Sequence, residues 1–200
     1  MKSLIKRFGM FDNKPVKCID KDNLFVLSGV NIIASLAGEG KTTEIIARSK
    51  GWVSDGYDVL HINFDNAPTY GSDMLNCPVS DEDYNDFWKI LKDEATNKTI
   101  LVIDSLKAMC SYLGLEIESN TDMYPLLMKL RILCKETGLT LVLVHHTYKP
   151  KNVKTMPSSF YGSRAIEEQS DSAFILENGN YRIVKNRAGH IRDTIVEGTI

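Results

Sequence analysis

Between Asn31 and Gly56 the chain passes from a short apolar stretch, NIIASL, through a glycine-bearing turn, AGEG, into KTTEIIARSKGWVSDG. In that last segment Ile45, Ile46, Ser49 and Trp52 recur at helical spacing, and Gly56 ends the pattern. A buried strand that enters a helix this abruptly constrains the fold more than any other feature. The helix must pack back on the sheet, and the chain then returns as a parallel neighbour. Later segments repeat the alternation: YDVLHINF, TILVID and LTLVLVHH read as buried strands, and DEDYNDFWKILKDEAT and DMYPLLMKLRILCKETG as helices. The first of these helices carries acids in its first turn, where the helix dipole favours them, and should lay Phe87, Ile90 and Leu91 on the sheet. Asn178-Gly179-Asn180 joins two alternating runs and marks a hairpin. An α/β fold is expected, with a mostly parallel twisted sheet flanked by helices and an antiparallel C-terminal hairpin. Residues 1–23 are polar and aperiodic and read as an arm or linker, with one domain over 24–200.

Composition narrows the function classes. A chain of 200 residues, 43% hydrophobic and 25% charged, matches one globular domain. Cys18, Cys77, Cys110 and Cys134 form no CxxC pair, and no apolar stretch follows MKSLIKRF, so neither a zinc site nor secretion is indicated and a cytoplasmic setting is expected. The longest apolar runs are strand-sized, too short to span a bilayer. A net charge of -2 excludes a globally basic nucleic-acid binder but allows local basic loops.

ASLAGEGKT matches the phosphate-cradling pattern GxxxxGK[ST] from its second glycine onward, with Ser35 where the pattern opens on glycine. In such a loop successive backbone N–H groups and the helix N-terminus face phosphates. Ala37, Gly38, Glu39, Gly40, Lys41, Thr42 and Thr43 form the expected ATP-binding set. Lys41 would reach the β- and γ-phosphates, and the Thr42 hydroxyl would ligate Mg²⁺. Asp104, closing the apolar run TILVID, is the second expected metal-positioning group. Asp65, closing HINFD on the side of the sheet where α/β sites gather, is the expected catalytic base. Ser35 precedes the contacting residues and should tune affinity at most.

In order, NIIASLAGEGKTT, HINFDNAP, LVIDSLKAM, LVLVHHTYKP, YGSRAIEEQSDSAFIL and RIVKNRAGH resemble the motor core of the RecA-like P-loop ATPases, in particular hexameric replicative helicases of the DnaB and plasmid RepA kind. The resemblance covers about residues 24–197. It implies a RecA-like P-loop NTPase core and an oligomeric, Mg²⁺-dependent ATPase driving a DNA helicase. It also implies that His146 senses the γ-phosphate while His145 points elsewhere. Finally, it implies that Lys185 and Arg187, the K-x-R pair of VKNR, reach across an interface to the neighbour's phosphates.

Two segments at the matching positions would face a channel holding single-stranded DNA: residues 107–122 and 148–163. The second carries Lys149, Lys151 and Lys154, with Arg164 just beyond, and interleaves Tyr148, Phe160 and Tyr161, a mix suited to phosphate contact and base stacking. The chain has no room for the separate N-terminal domain of the DnaB type. Its small size also fits phage-type recombination or strand-annealing ATPases, and a KaiC-type regulatory oligomer is the reading from another class.

Overall fold

A computed structural model describes residues 15–65, 74–76, 81–148 and 160–199. Eight strands form one sheet: β1 (Val30–Ser35), β2 (Asp58–Asn63), β3 (Met74–Asn76), β4 (Thr99–Asp104), β5 (Thr140–His146), β6 (Ser172–Glu177), β7 (Asn180–Asn186) and β8 (Ile195–Glu197). The helices are α1 (Lys41–Ser54), α2 (Asp81–Glu94), α3 (Leu106–Tyr112), α4 (Asn120–Thr137) and α5 (Ala165–Gln169). The strand order is β3-β2-β4-β5-β1-β6-β7-β8. The first six strands in that order pair in parallel, and β7 and β8 complete an antiparallel edge. The expected fold class is therefore the observed one. Asn178 and Gly179 both have positive φ, as the two-residue hairpin between β6 and β7 requires.

β1 and β4 are buried along their whole length, so no alternation marks a solvent face. On one side of the sheet Leu101, Ile103, Leu141 and Leu143 pack with Leu91 of α2, Met109 of α3, Leu127 and Leu130 of α4, and Ile166 of α5. On the other, Ile33, Val102, Val144 and Phe174 pack under Ile45 and Trp52 of α1, together with Ile19, Leu24 and Phe25. Phe25 meets Trp52 edge to face at 5.2 Å. Each fully buried side chain of this size contributes roughly 2 kcal/mol by removal from water.

The structure departs from the sequence expectation at several points. Ile90 is 54% exposed, because the buried stripe of α2 runs through Leu91 and only partly covers Phe87 and Trp88. On α1 the buried face is Glu44, Ile45, Arg48 and Trp52, whereas Ile46 and Ser49 are only partly covered. Residues 107–112 of the segment 107–122 belong to α3, whose Met109 and Cys110 are part of the core. Packing also begins before residue 24: Cys18 bridges Val26, and Ile19 is 5% exposed.

The two charges under α1 are fully engaged. Glu44 Oε1 accepts from the Tyr181 hydroxyl at 2.6 Å, from Arg48 Nε at 2.9 Å and from the Thr199 amide at 3.0 Å. Arg48 also approaches Asp20 at 3.6 Å and stacks 4.6 Å over the Tyr181 ring. A buried carboxylate is tolerated when it is satisfied in this way. These bonds fix α1 to the hairpin, and so set where its N-terminus points.

Candidate nucleotide site

The site gathers at the C-terminal ends of the parallel strands. β1 delivers Ser35, the turn 36–40 follows, and α1 opens at Lys41. Gly38 and Gly40 take φ of +86° and +80°, left-handed conformations that favour glycine, and a Cβ at Gly38 would meet no atom within 4 Å. The space beside Gly38 is thus open, and α1 begins with no side-chain cap on its amides. An unmasked helix N-terminus is a seat for phosphate.

Lys41 is 7% exposed. Its ammonium donates to the Leu36 carbonyl at 3.0 Å and to Ser35 Oγ at 3.2 Å. Burial lowers its pKa, and the nearby Asp104, Asp65 and Glu39 carboxylates oppose that shift. Ser35 Oγ in turn donates to the Leu36 carbonyl at 2.8 Å. The residue that replaces the opening glycine is therefore a polar rest for the lysine inside the loop.

Register brings the remaining groups together. Asp104 lies beside Asn63 on one side and Val144 on the other, and His146 lies beside Ser35. Thr42 Oγ1 donates to Asp104 Oδ2 at 2.6 Å. Asp104 is 6% exposed, and burial raises its pKa more than the Thr42 hydroxyl lowers it, with Asp65 adding a further upward push. One hydroxyl and one carboxylate supply hard oxygens, the donor type Mg²⁺ takes from protein alongside phosphate and water. The residues present thus fit both a phosphate chain and a magnesium ion.

Asp65 is held just past β2: its amide donates to the Asp104 carbonyl at 3.3 Å, and its Oδ1 accepts from Ser105 Oγ at 3.2 Å. Ser105 also caps α3 by accepting from the Ala108 amide. His146 feels both Lys41 and Lys107, and its pKa is lowered, first by burial. His145 points to the opposite face, where Nε2 lies 2.6 Å from the Tyr161 carbonyl and burial drops its pKa to about 4.

Lys185 and Arg187 lie at the other end of the sheet. Asn186, between them, is level with Ser172 and hence with Asn31. That is four residues before Ser35, or about 13 Å along the strand at 3.3 Å per residue. Lys185 donates to the carbonyls of Glu167 and Glu168 at 2.9 and 2.8 Å, covering the end of α5. Arg187 is half exposed and pairs with Asp171 at 2.7 Å.

Of the expected DNA contacts, Lys149, Lys151 and Lys154 lie outside the described residues. Arg164, with a side chain 88% exposed, pairs with Glu168 at 3.6 Å. Phe160 is only 6% exposed and packs near His145, so it offers no stacking face. Tyr148 and Tyr161 meet edge to face at 5.2 Å, with Lys107 5.3 Å above the Tyr161 ring. Ser105 and Asp171 lie outside the sequence-derived set, and Lys107 enters it only as the first residue of the segment 107–122. A Ser directly after a strand-ending Asp is a readable signal for Ser105, while Asp171 carries none.

A search of curated proteins finds no match. The family model described as AAA domain matches residues 33–152, from the middle of β1 across the P-loop, Asp65, Asp104 and His146. That span is more than half of the chain and contains every group gathered at the C-terminal ends of the strands, and the chain belongs to this AAA domain family of P-loop ATPases.

Proposed function

We propose that the protein is a Mg²⁺-dependent ATPase that works as an assembly of identical copies, binds single-stranded DNA and acts as a helicase or translocase motor. The observation that carries this reading is the division of charged groups between the two ends of the sheet. Lys41, Thr42, Asp104 and Asp65 converge at one end, and Arg187 stands half exposed at the other. One copy cannot bring both to a single phosphate, whereas a neighbour stacked head to tail can.

Within a copy, backbone N–H groups of residues 37–43 and the Lys41 ammonium hold the phosphates, and Thr42 and Asp104 position the metal. A Mg²⁺ ion held by Thr42 and Asp104 would supply charge neutralisation to the phosphates. Asp65 accepts the proton of the attacking water as its oxygen closes on the γ-phosphorus and the bond to the β-oxygen breaks. The Ser105 hydroxyl keeps the Asp65 carboxylate turned toward Asp104. His146, level with Ser35 at the strand ends, would donate a hydrogen bond to a γ-oxygen. Arg187 of the next copy stabilises the charge that builds on the transferred phosphoryl group. Tyr148, Tyr161 and Lys107 form an exposed aromatic and basic cluster beside His146, suited to stacked bases and a phosphate.

ATP turnover measured with and without single-stranded DNA, in Mg²⁺ and in EDTA, tests the reading. Turnover should require Mg²⁺ and rise several-fold with DNA, and DNA affinity should fall steeply with salt. Mg²⁺-dependent turnover with no DNA response at low salt would leave the ATPase and remove the motor, as expected of a regulatory oligomer.

A further inference from the structure

Asp171 is built into the base of the sheet through both its backbone and its side chain. Its amide donates to the Val30 carbonyl at 2.7 Å, its own carbonyl accepts from the Arg187 amide at 3.0 Å, and its Oδ2 accepts from the Val30 amide at 2.9 Å. Gly29 makes the approach possible, because a Cβ there would stand 3.0 Å from Oδ2. The other carboxylate oxygen faces two guanidinium groups: Arg187 at 2.7 Å, and Arg131 of α4 at 3.8 Å, itself held by Gln169 at 3.0 Å. Asp171 and Arg131 also line a cleft of about 530 Å³ with Lys135, Ser28 and Gly138.

The consequence for Arg187 is partial anchoring. A free arginine loses close to 2 kcal/mol of rotamer entropy when fixed. Here one nitrogen is pinned to a carboxylate whose side chain is 13% exposed, while the arginine side chain stays 47% exposed and keeps further donors to offer. Two arginines on one aspartate leave the cluster with net positive charge, so a phosphate is still attracted. Lys185, by contrast, spends its ammonium on the α5 carbonyls.

We infer that Asp171 is a positioning residue for the trans-acting Arg187, pre-ordering its guanidinium toward the neighbouring copy's phosphate, with Arg131 keeping the cluster cationic. The inference rests on the proposal that Arg187 completes the neighbour's site. It assigns roles outside the K-x-R pair, and it makes Lys185 a support of α5 before anything else.

Mixing experiments test it. Asp171→Asn keeps an oxygen for the Val30 amide and removes the charge that holds Arg187. Alone it should lose about 10-fold or more in kcat, with the KM for ATP unchanged because the P-loop is intact. Mixed with Lys41→Ala, whose Arg187 is intact, it should regain turnover, as Arg187→Ala should in the same mixture. Arg131→Gln should show a smaller kcat loss, also recovered by Lys41→Ala. A folding defect in Asp171→Asn would not be recovered by a second subunit, and its circular dichroism and melting temperature separate that outcome. Normal or raised kcat in Asp171→Asn, or failure of the mixture to recover while Arg187→Ala recovers, overturns the inference. Failure of Arg187→Ala itself to recover overturns the shared site on which it rests.

Discussion

Glu44 and Asp104 are both buried carboxylates reached by α1, yet their surroundings push them in opposite directions. Glu44 receives a hydroxyl, a guanidinium and an amide, and its pKa is lowered despite burial. Asp104 accepts from the Thr42 hydroxyl, yet its pKa is raised, first by burial and further by Asp65. The first carboxylate is satisfied by the protein and holds the helix in place. The second meets the P-loop through Thr42 and lies near Lys41, where on the proposed function its charge would help hold a cation. The two carboxylates differ in what meets them: donors from the hairpin and the C-terminal segment close on Glu44, and a P-loop hydroxyl meets Asp104.

The largest effect that sharpens this contrast is on turnover. Lys41→Ala should cut ATP turnover by about 10³-fold, the scale of losing a charge aimed at the transition state, with the melting temperature nearly unchanged. The reverse pattern is expected at Glu44. Glu44→Ala leaves Arg48 and Tyr181 without their main partner and should cost about 3 kcal/mol or more in urea unfolding. A Glu44→Ala protein as stable as wild type would erase the supporting role.

Acid should act through the histidines. His61 and His145 are buried, and burial takes both to a pKa of about 4. A folded-state value below the unfolded one means that their contribution is complete above about pH 6.5 and is lost as pH falls toward 4. Stability should therefore drop by a few kcal/mol between pH 7 and pH 4.5, and His61→Phe should reduce the drop by part of that amount. Equal slopes in the two proteins would remove His61 from the account. The smallest effect is expected at Ser35. Ser35→Gly removes one of the rests for Lys41 and should leave turnover within a few-fold; a large gain would show that the serine impairs the loop.

The nucleotide end of the molecule was largely legible in the sequence, because its chemistry is carried by short segments at strand ends. GEGKTT, Asp65 and Asp104 each follow a strand-sized, largely apolar stretch, and the parallel register sets the ends of these strands side by side. The same logic located α1, α2, α4 and the hairpin. What escaped reading depends on long-range partners. Glu44 and Arg48 look like a solvent face until Tyr181, Asp20 and Thr199 close over them. Asp171 reads as an ordinary strand-entry residue until Val30, Arg131 and Arg187 converge on it. Phe160 looks like part of a polar loop, yet it folds back beside Thr147 into the core. The strands β3 and β8 are three residues each, too short for periodicity to register.

The central claim, that Asp104 is kept ready for a metal bound with the nucleotide, is tested most directly by unfolding wild type and Asp104→Asn with ATP, in Mg²⁺ and in EDTA. Because the raised pKa of Asp104 means that its ionised form costs stability above the usual aspartate range of about 4, the ligand-free variant should be slightly more stable than wild type at pH 7. Wild type should gain about 2.7 kcal/mol at 100-fold excess over Kd when Mg²⁺ is present, and distinctly less in EDTA. Asp104→Asn should gain equally in both. A Mg²⁺-dependent gain retained in full by Asp104→Asn would contradict the account.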